Sequence, residues 1–258
     1  FRVERAGAES GFAVGDLAFC MANHRSWIEV PAANAWKVPA GLDPADAALA
    51  RLAAVSWSTL VTTAARPPER VAVTGLGIVG HFAAQIFHAA GYQVVAADPV
   101  AARRDLLAGL GIDCRERLPL GDASWQDQVD QVVECSGHEA AILDACRLVR
   151  RGGEVALVGV PWVKRTDASA HEVLDLVFHR YVRLRSGWEW EVPRQRSDFR
   201  HGSIRENISG ALAWLASGRL RTTGIFRRVD PRDPQPVYEE LLAQRGTLTA
   251  VFDWSALA

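Results

Sequence analysis

The segment RVAVTGLGIVGHF, residues 70–82, restricts the folds open to this chain more than any other stretch. Val71 to Thr74 reads as a compact apolar strand. Gly75, Gly77 and Gly80 follow at once in G-x-G-x-x-G spacing, and Ile78 to Ala90 reads as a helix ended by Gly91. Strand, glycine loop and helix in this order form a phosphate cradle. Gly75 permits the tight turn, Gly77 lets backbone approach a pyrophosphate, and Gly80 lets helix and strand pack closely. The helix start, at Ile78 and Val79, offers unpaired N–H groups and a favourable dipole. The next strand, Gln93 to Ala97, stops at Asp98, 18 residues beyond Gly80. A carboxylate there can accept both adenosine ribose hydroxyls and repels a 2′-phosphate. The expectation is dinucleotide binding, with NAD(H) preferred. Arg103 and Arg104 keep NADP(H) open, because either can reach a 2′-phosphate; otherwise they are solvated helix arginines.

The alternation of strand and helix continues to about residue 187. Ala101 to Ala108 reads as helix, Val129 to Cys135 as strand, Glu139 to Val149 as helix and Glu154 to Val158 as strand. His171 to His179 then reads as helix and Val182 to Arg185 as strand. This is the rhythm of a parallel sheet covered on both faces, an α/β fold with right-handed crossovers. Ligands of such sheets sit beyond the carboxyl ends of strands. Two further strand ends should therefore face the ligand: ECSGH, with Ser136 and Gly137, and VGVP, with Gly159 and Val160.

The flanks differ. Residues 1–35 read as strands and turns, with strands in VERAG, VGDLAFC and WIEVP. A strand at Phe1 needs a partner edge, so the expectation is that residues of the parent protein precede it. Residues 36–66 carry the turn PAGLDP and an Ala-rich helix capped by Asp43 or Asp46 and stopped by Pro67-Pro68. Asn207 to Ser217 reads as helix, Ile225 to Val229 as strand, Val237 to Gln244 as helix and Leu248 to Trp254 as a last strand. The expected organisation is discontinuous: residues 1–58 and 188–258 form one lobe, and residues 59–187 form the nucleotide domain between them.

Composition narrows the classes. Of 258 residues, 29 are basic and 30 acidic, so no strong positive field supports nucleic-acid binding. No apolar run reaches the length of about 18 residues that suggests a membrane span, and no signal-like segment opens the chain. The four cysteines, Cys20, Cys114, Cys135 and Cys146, are far apart and form no CxxC pair, so a structural zinc site has no support. Low cysteine content suits a reducing, cytoplasmic compartment. The arginines Arg194, Arg196, Arg200 and Arg205 could guide an anionic substrate such as a carboxylate or phosphate, but such a run is more often a solvated face.

The chain resembles the medium-chain dehydrogenase/reductases. The resemblance lies in FAVGDLAF, IEVPAANAWKVPAGLDPADAALA, GLGIVG with Asp98, ECSG, ALVGV and the pair Ser186-Gly187. It implies a Rossmann domain, a mainly β, GroES-like catalytic lobe made from both termini, and a small-molecule substrate. It places Ser186 and Gly187 near the nicotinamide. It also implies a homodimer through the Rossmann sheet edge near Val182, Arg183, Leu184 and Arg185, and a first lobe that opens before Phe1. The zinc-binding branch would carry a metal ligand near Arg51 to Ala54 and a four-cysteine loop after GDLAFC. Neither is here, so the expectation is a member without zinc, on the side of the family that includes enzymes like hydroxyethyl-bacteriochlorophyllide dehydrogenase.

Without a metal, a side chain of tunable pKa must handle the substrate proton. The candidates are His24, in the shortened loop beside Arg25 and Trp27, His138 after Gly137, and Glu189 between Trp188 and Trp190. Each also has a plainer reading: a loop hydrogen-bond partner, a helix cap and a lobe-closing segment. Trp57, Trp188 and Trp190 are candidate walls for a ring-shaped substrate. The expected reaction is hydride transfer between nicotinamide and a secondary alcohol or ketone of a cyclic or specialised metabolite. Reduction of an activated C=C bond is the enzymatic alternative, and a non-catalytic dinucleotide sensor or scaffold is the other.

Overall fold

The computed structural model describes residues 1–257. The chain divides into two compact units, one made of Phe1–Ala54 with the chain from Arg205 onward, the other of Val55–Ile204.

In the first unit, strands β1 (Ala18–Cys20) and β2 (Ala35–Lys37) pair antiparallel. Phe19 faces Trp36 across them, edge to ring, with centroids 5.8 Å apart, a geometry that suits the aromatic quadrupole. Arg2 bridges Leu17 in a single antiparallel contact. WIEVP, expected as a strand, is irregular; β2 begins only after a turn at Ala32–Asn34. Pro31 explains the delay, since it has no N–H to give to a ladder. Asp43 caps α1 (Pro44–Ala48), accepting from the Ala45 N–H at 2.8 Å, and Pro44 occupies the first turn, where no N–H is needed. The Ala-rich stretch expected as one helix breaks at Leu49, and α2 (Ala50–Thr62) follows.

The second unit is built on six parallel strands: β3 (Arg70–Thr74), β4 (Gln93–Ala97), β5 (Asp113–Arg115), β6 (Val129–Glu134), β7 (Val149–Leu157) and β8 (Arg183–Ser186). Their order is β5-β4-β3-β6-β7-β8. Helices α3 (Ile78–Ala89), α4 (Ala101–Asp105), α5 (Glu139–Leu148) and α6 (Ala170–Arg180) connect them. Successive residues of β3 alternate faces. Val71 and Val73 pack with Phe87 and Leu107 on one side, and Ala72 packs with Leu148 and Val155 on the other. Both faces are covered, which is why β3 is apolar throughout rather than alternating. Phe87 is fully buried, and its truncation to Ala would cost about 3–5 kcal/mol.

The chain leaves β3 toward β4 and β5, then crosses back to β6 on the other side. The sheet thus reverses direction between β3 and β6, which opens a crevice beyond their carboxyl ends. Several details differ from expectation. α4 ends at Asp105 rather than Ala108, where turns lead to the left-handed Gly109 and Gly111. β7 begins at Val149, five residues before Glu154, with a register shift against β6 between Val129 and Gln131. β5 was not foreseen.

The C-terminal segment carries α7 (Ile204–Ala216), β9 (Phe226–Val229), α8 (Gln235–Leu242) and β10 (Thr249–Phe252). β9 and β10 are parallel. Contacts tie this segment to the N-terminal one within the first unit. The Trp36 indole N–H donates to the Arg205 carbonyl at 3.0 Å, Thr222 donates to Asp46 at 2.7 Å, and Arg228 pairs with Asp43. The lobe expected as mainly β is mixed, with short strands beside α1, α7 and α8. Among the described residues no helix is long and apolar enough to cross a membrane.

Candidate functional site

At the end of β3, Gly75 adopts a left-handed conformation, φ 84°. A Cβ there would lie 2.6 Å from the Ser136 backbone nitrogen. At Gly80 a Cβ would lie 1.8 Å from the Gly75 carbonyl oxygen and 3.1 Å from the Cys135 Cβ. The fold itself demands these two glycines. Gly77 is different: a Cβ there meets nothing within 4 Å. No neighbour within the chain requires a glycine there. Gly77 is also the N-cap of α3 and makes no side-chain cap. The first intrahelical bond runs from the His81 N–H to the Gly77 carbonyl at 2.8 Å. The N–H groups of Ile78, Val79 and Gly80 therefore have no acceptor within the helix. An open cradle under an uncapped helix start fits a pyrophosphate.

The ends of β6, β7 and β8 interlock beside this loop. Glu134, fully buried at the end of β6, folds back on its own turn. Its carboxylate accepts the Ser136 N–H at 2.7 Å, the Gly137 N–H at 3.1 Å and the Ser136 hydroxyl. Burial pushes the Glu134 pKa up, and these donors oppose the shift. The Val158 and Gly159 N–H groups both donate to the Glu134 carbonyl at 2.8 Å. A Cβ on Gly137 would lie 2.6 Å from the Val160 carbonyl oxygen, and one on Gly159 would lie 2.3 Å from the Gly137 nitrogen. Gly187 packs against Val158, and its N–H donates to the Leu157 carbonyl at 2.7 Å. Gly75, Ser136, Gly137, Gly159, Val160 and Gly187 thus form one continuous row. Ser186, at the end of β8, is exposed, and its hydroxyl accepts the Trp188 N–H at 3.1 Å.

Asp98 lies just past β4 and is 3% exposed. One carboxylate oxygen accepts the Leu76 N–H at 2.7 Å, and the other accepts the Val100 N–H at 2.8 Å. Arg103 reaches the first oxygen at 3.3 Å, and Arg104 donates to the Asp98 carbonyl at 2.6 Å. Asp98, expected from the sequence as a ribose acceptor, also clamps the glycine loop, which sequence reasoning missed. The same reasoning missed Glu134 as the clamp of the next turn. A carboxylate closing the apolar run VVE was the available signal.

His81, in the first turn of α3, is buried. Desolvation lowers its pKa to about 4, and its Nδ1 has no hydrogen-bond partner.

The proton-transfer candidates are distributed between the units. His138 is the N-cap of α5, its Nδ1 accepting the Ala140 N–H at 3.3 Å. Glu189 is buried at the start of a short 3-10 turn, with Trp188 and Trp190 half-exposed on either side. Trp57 lies partly buried on α2. His24 belongs to the other unit, where its exposed ring stands edge-on to Phe252 at 5.2 Å. Among the described residues no three His, Cys, Asp or Glu side chains form a group that could hold a metal ion. The residues present do not fit a zinc site.

Residues 79–188 match the family profile described as "Zinc-binding dehydrogenase". The L-galactonate-5-dehydrogenase of Escherichia coli (strain K12) is 36% identical over 147 residues, which cover 52% of this chain and 41% of that protein. An alcohol dehydrogenase of Geobacillus stearothermophilus is 33% identical over 144 residues, covering 54% of this chain and 42% of that enzyme. The matched stretch thus spans less than half the length of these curated relatives. The structure of acetophenone reductase from Geotrichum candidum NBRC 4597 in complex with NAD shares the fold, with a TM-score of 0.65 and 21% identity, over 85% of this chain and 58% of that one. The chain is thus similar to zinc-binding dehydrogenases over residues 79–188 and shares its fold with acetophenone reductase.

Proposed function

We propose that this chain is a nicotinamide dinucleotide-dependent oxidoreductase that interconverts a secondary alcohol and a ketone of a cyclic or specialised metabolite. The observation that carries the reading is the contrast within the glycine loop: Gly75 and Gly80 are crowded by their own fold, while Gly77 faces open space. The dinucleotide, when bound, supplies or accepts hydride at its nicotinamide ring. The chain does the rest. The N–H groups of Ile78, Val79 and Gly80 hold the diphosphate, and Asp98 takes the adenosine ribose. The row from Gly75 through Ser136, Gly137, Gly159 and Val160 to Ser186 and Gly187 supports the nicotinamide end. Proton transfer at the substrate oxygen falls to His24, His138 or Glu189, with no metal taking part. Trp57, Trp188 and Trp190 are candidate walls for the substrate ring. NAD(H) is the cofactor Asp98 favours, and NAD-bound acetophenone reductase shares the fold.

A second copy pairing through β8 belongs to the same reading. β8 is a sheet edge with one strand neighbour. Val182 is buried against the sheet, so Arg183, Leu184 and Arg185 would carry the edge contact.

The test is calorimetric titration of the chain with NADH, followed by turnover of cyclic secondary alcohols and ketones with product analysis. Saturable binding and interconversion of C=O with CH–OH are expected. Reduction of a C=C bond would replace the proposed reaction, and binding without any turnover would make the chain a sensor. No binding would remove the reading altogether.

A further inference from the structure

We propose that Arg185 is a positioning residue: its guanidinium ties the turn that carries Glu189 and Trp190 to the end of α2, and so fixes the substrate side of the site. The inference rests on the oxidoreductase reading above and adds to it what holds the candidate substrate walls in place.

Three groups meet around this guanidinium, all within the second unit. Nη1 of Arg185 donates to the Thr62 carbonyl at 2.7 Å and lies 3.5 Å from Oε1 of Glu154, while Nη2 pairs with the Glu191 carboxylate. Thr62 is the last residue of α2. Its carbonyl has no partner within the helix, and a cation at that end suits the helix dipole. Glu154, on β7, has a side chain only 4% exposed. The Ala64 N–H donates to its Oε2 at 3.3 Å, and Arg183 lies 3.7 Å from the same oxygen, whereas Oε1 accepts no hydrogen bond. Oε1 therefore depends on the charge of Arg185. A buried carboxylate stripped of its cation is costly, so the guanidinium is pinned from within.

The remaining arm reaches outward. Glu191 closes the 3-10 turn Glu189–Glu191 and is 43% exposed, against 28% for Arg185. The anchored guanidinium thus holds the turn, and the turn carries Glu189 and Trp190, with Trp188 as its N-cap. α2 has a second attachment. The Ser56 hydroxyl donates to the Val79 carbonyl at 2.7 Å, in the first turn of α3. Trp57 is the next residue along α2. The helix is therefore fastened to the diphosphate cradle through Ser56 and to the Glu189–Glu191 turn through Arg185. Serving a carbonyl and two carboxylates at once suits the rigid guanidinium fork and exceeds the reach of a lysine ammonium.

The experiment compares the whole chain with Glu191→Gln and Arg185→Lys. It measures thermal unfolding, hydrogen exchange of backbone amides, NADH affinity by calorimetry, and steady-state turnover of whichever alcohol, ketone or enone the parent accepts. Glu191→Gln leaves the buried contacts of Arg185 intact, so it should melt with the parent. Amides of residues 188–192 should exchange about tenfold faster or more, as expected of a released local segment, and those of residues 56–62 should not change. NADH affinity should stay within about threefold. Substrate KM should rise by about ten- to a hundredfold, the scale of a wall displaced by about 1 Å. Arg185→Lys keeps a charge near Glu154 without the fork and should show the same pattern with a lower melting temperature. A merely structural role would lower kcat by reducing the folded fraction and leave KM alone. The inference is overturned if Glu191→Gln leaves either the exchange of residues 188–192 or the substrate KM unchanged. Either result leaves the oxidoreductase reading intact, whereas a parent chain that binds no dinucleotide, or turns over no substrate, removes both.

Discussion

A Cβ on Gly80 would stand 1.8 Å from the carbonyl oxygen of Gly75. Backbone on both sides prevents relief, so the helix start and the strand end must separate to admit even a methyl group. Gly80→Ala should therefore destabilise the chain by about 2 kcal/mol or more, the scale of overpacking. Gly77→Val should instead leave stability nearly unchanged and act on the ligand. Gly77 has φ -62° and ψ -178°, which any residue adopts, and open space around it. The variant should melt with the parent and lose dinucleotide binding. Thermal unfolding and NADH titration of the two variants check this; equal losses of stability would sink the division of labour.

The same loop shows what the sequence carried. Glycine spacing, the apolar run of β3 and Asp98 at the end of β4 were legible, because each expresses a local rule of turn chemistry or burial. β5 was hidden because it is three residues long and two of them, Asp113 and Arg115, are charged. The clamps were hidden for another reason. Asp98 reaches Leu76, and Glu134 holds a turn that abuts Gly75; both depend on strands that are distant in sequence becoming neighbours. WIEVP looked like a strand because its apolar residues suit one, but strand formation needs an edge that accepts it. The roles of His24, His138 and Glu189 stay proposals, because a proton donor is defined by its distance to a substrate atom.

His81 makes stability depend on acid. Its pKa is lowered to about 4 from 6.5 by burial. Between these values the unfolded chain takes up a proton that the folded chain refuses, so stability falls as pH drops through that window. Above about pH 6.5 the group contributes no slope. The loss should reach about 2 kcal/mol at about pH 5. His81→Leu removes the proton acceptor. Urea unfolding of parent and variant at about pH 7 and about pH 5 should show a steeper acid loss in the parent. Parallel losses would mean that the imidazole is solvated.

Glu134 has the opposite sign. Burial raises its folded pKa above 4.5, so the folded chain holds a proton that the unfolded chain releases. Its contribution is greatest below about pH 4.5, declines as pH rises through the raised value, and is constant beyond it. Glu134→Gln is neutral throughout and should lack this decline. The variant also breaks the clamp. The Gly137 N–H lies 3.1 Å from both carboxylate oxygens, and replacing one oxygen by NH₂ sets donor against donor. The cost should be about 1–3 kcal/mol, and the loosened Ser136–Gly137 turn should weaken NADH binding severalfold. Unfolding curves measured across mildly acidic to neutral pH, with NADH titration at neutral pH, separate the two effects. A variant with unchanged affinity would show that the turn is held by its packing against Gly75 and Gly159 and that the carboxylate only fills space.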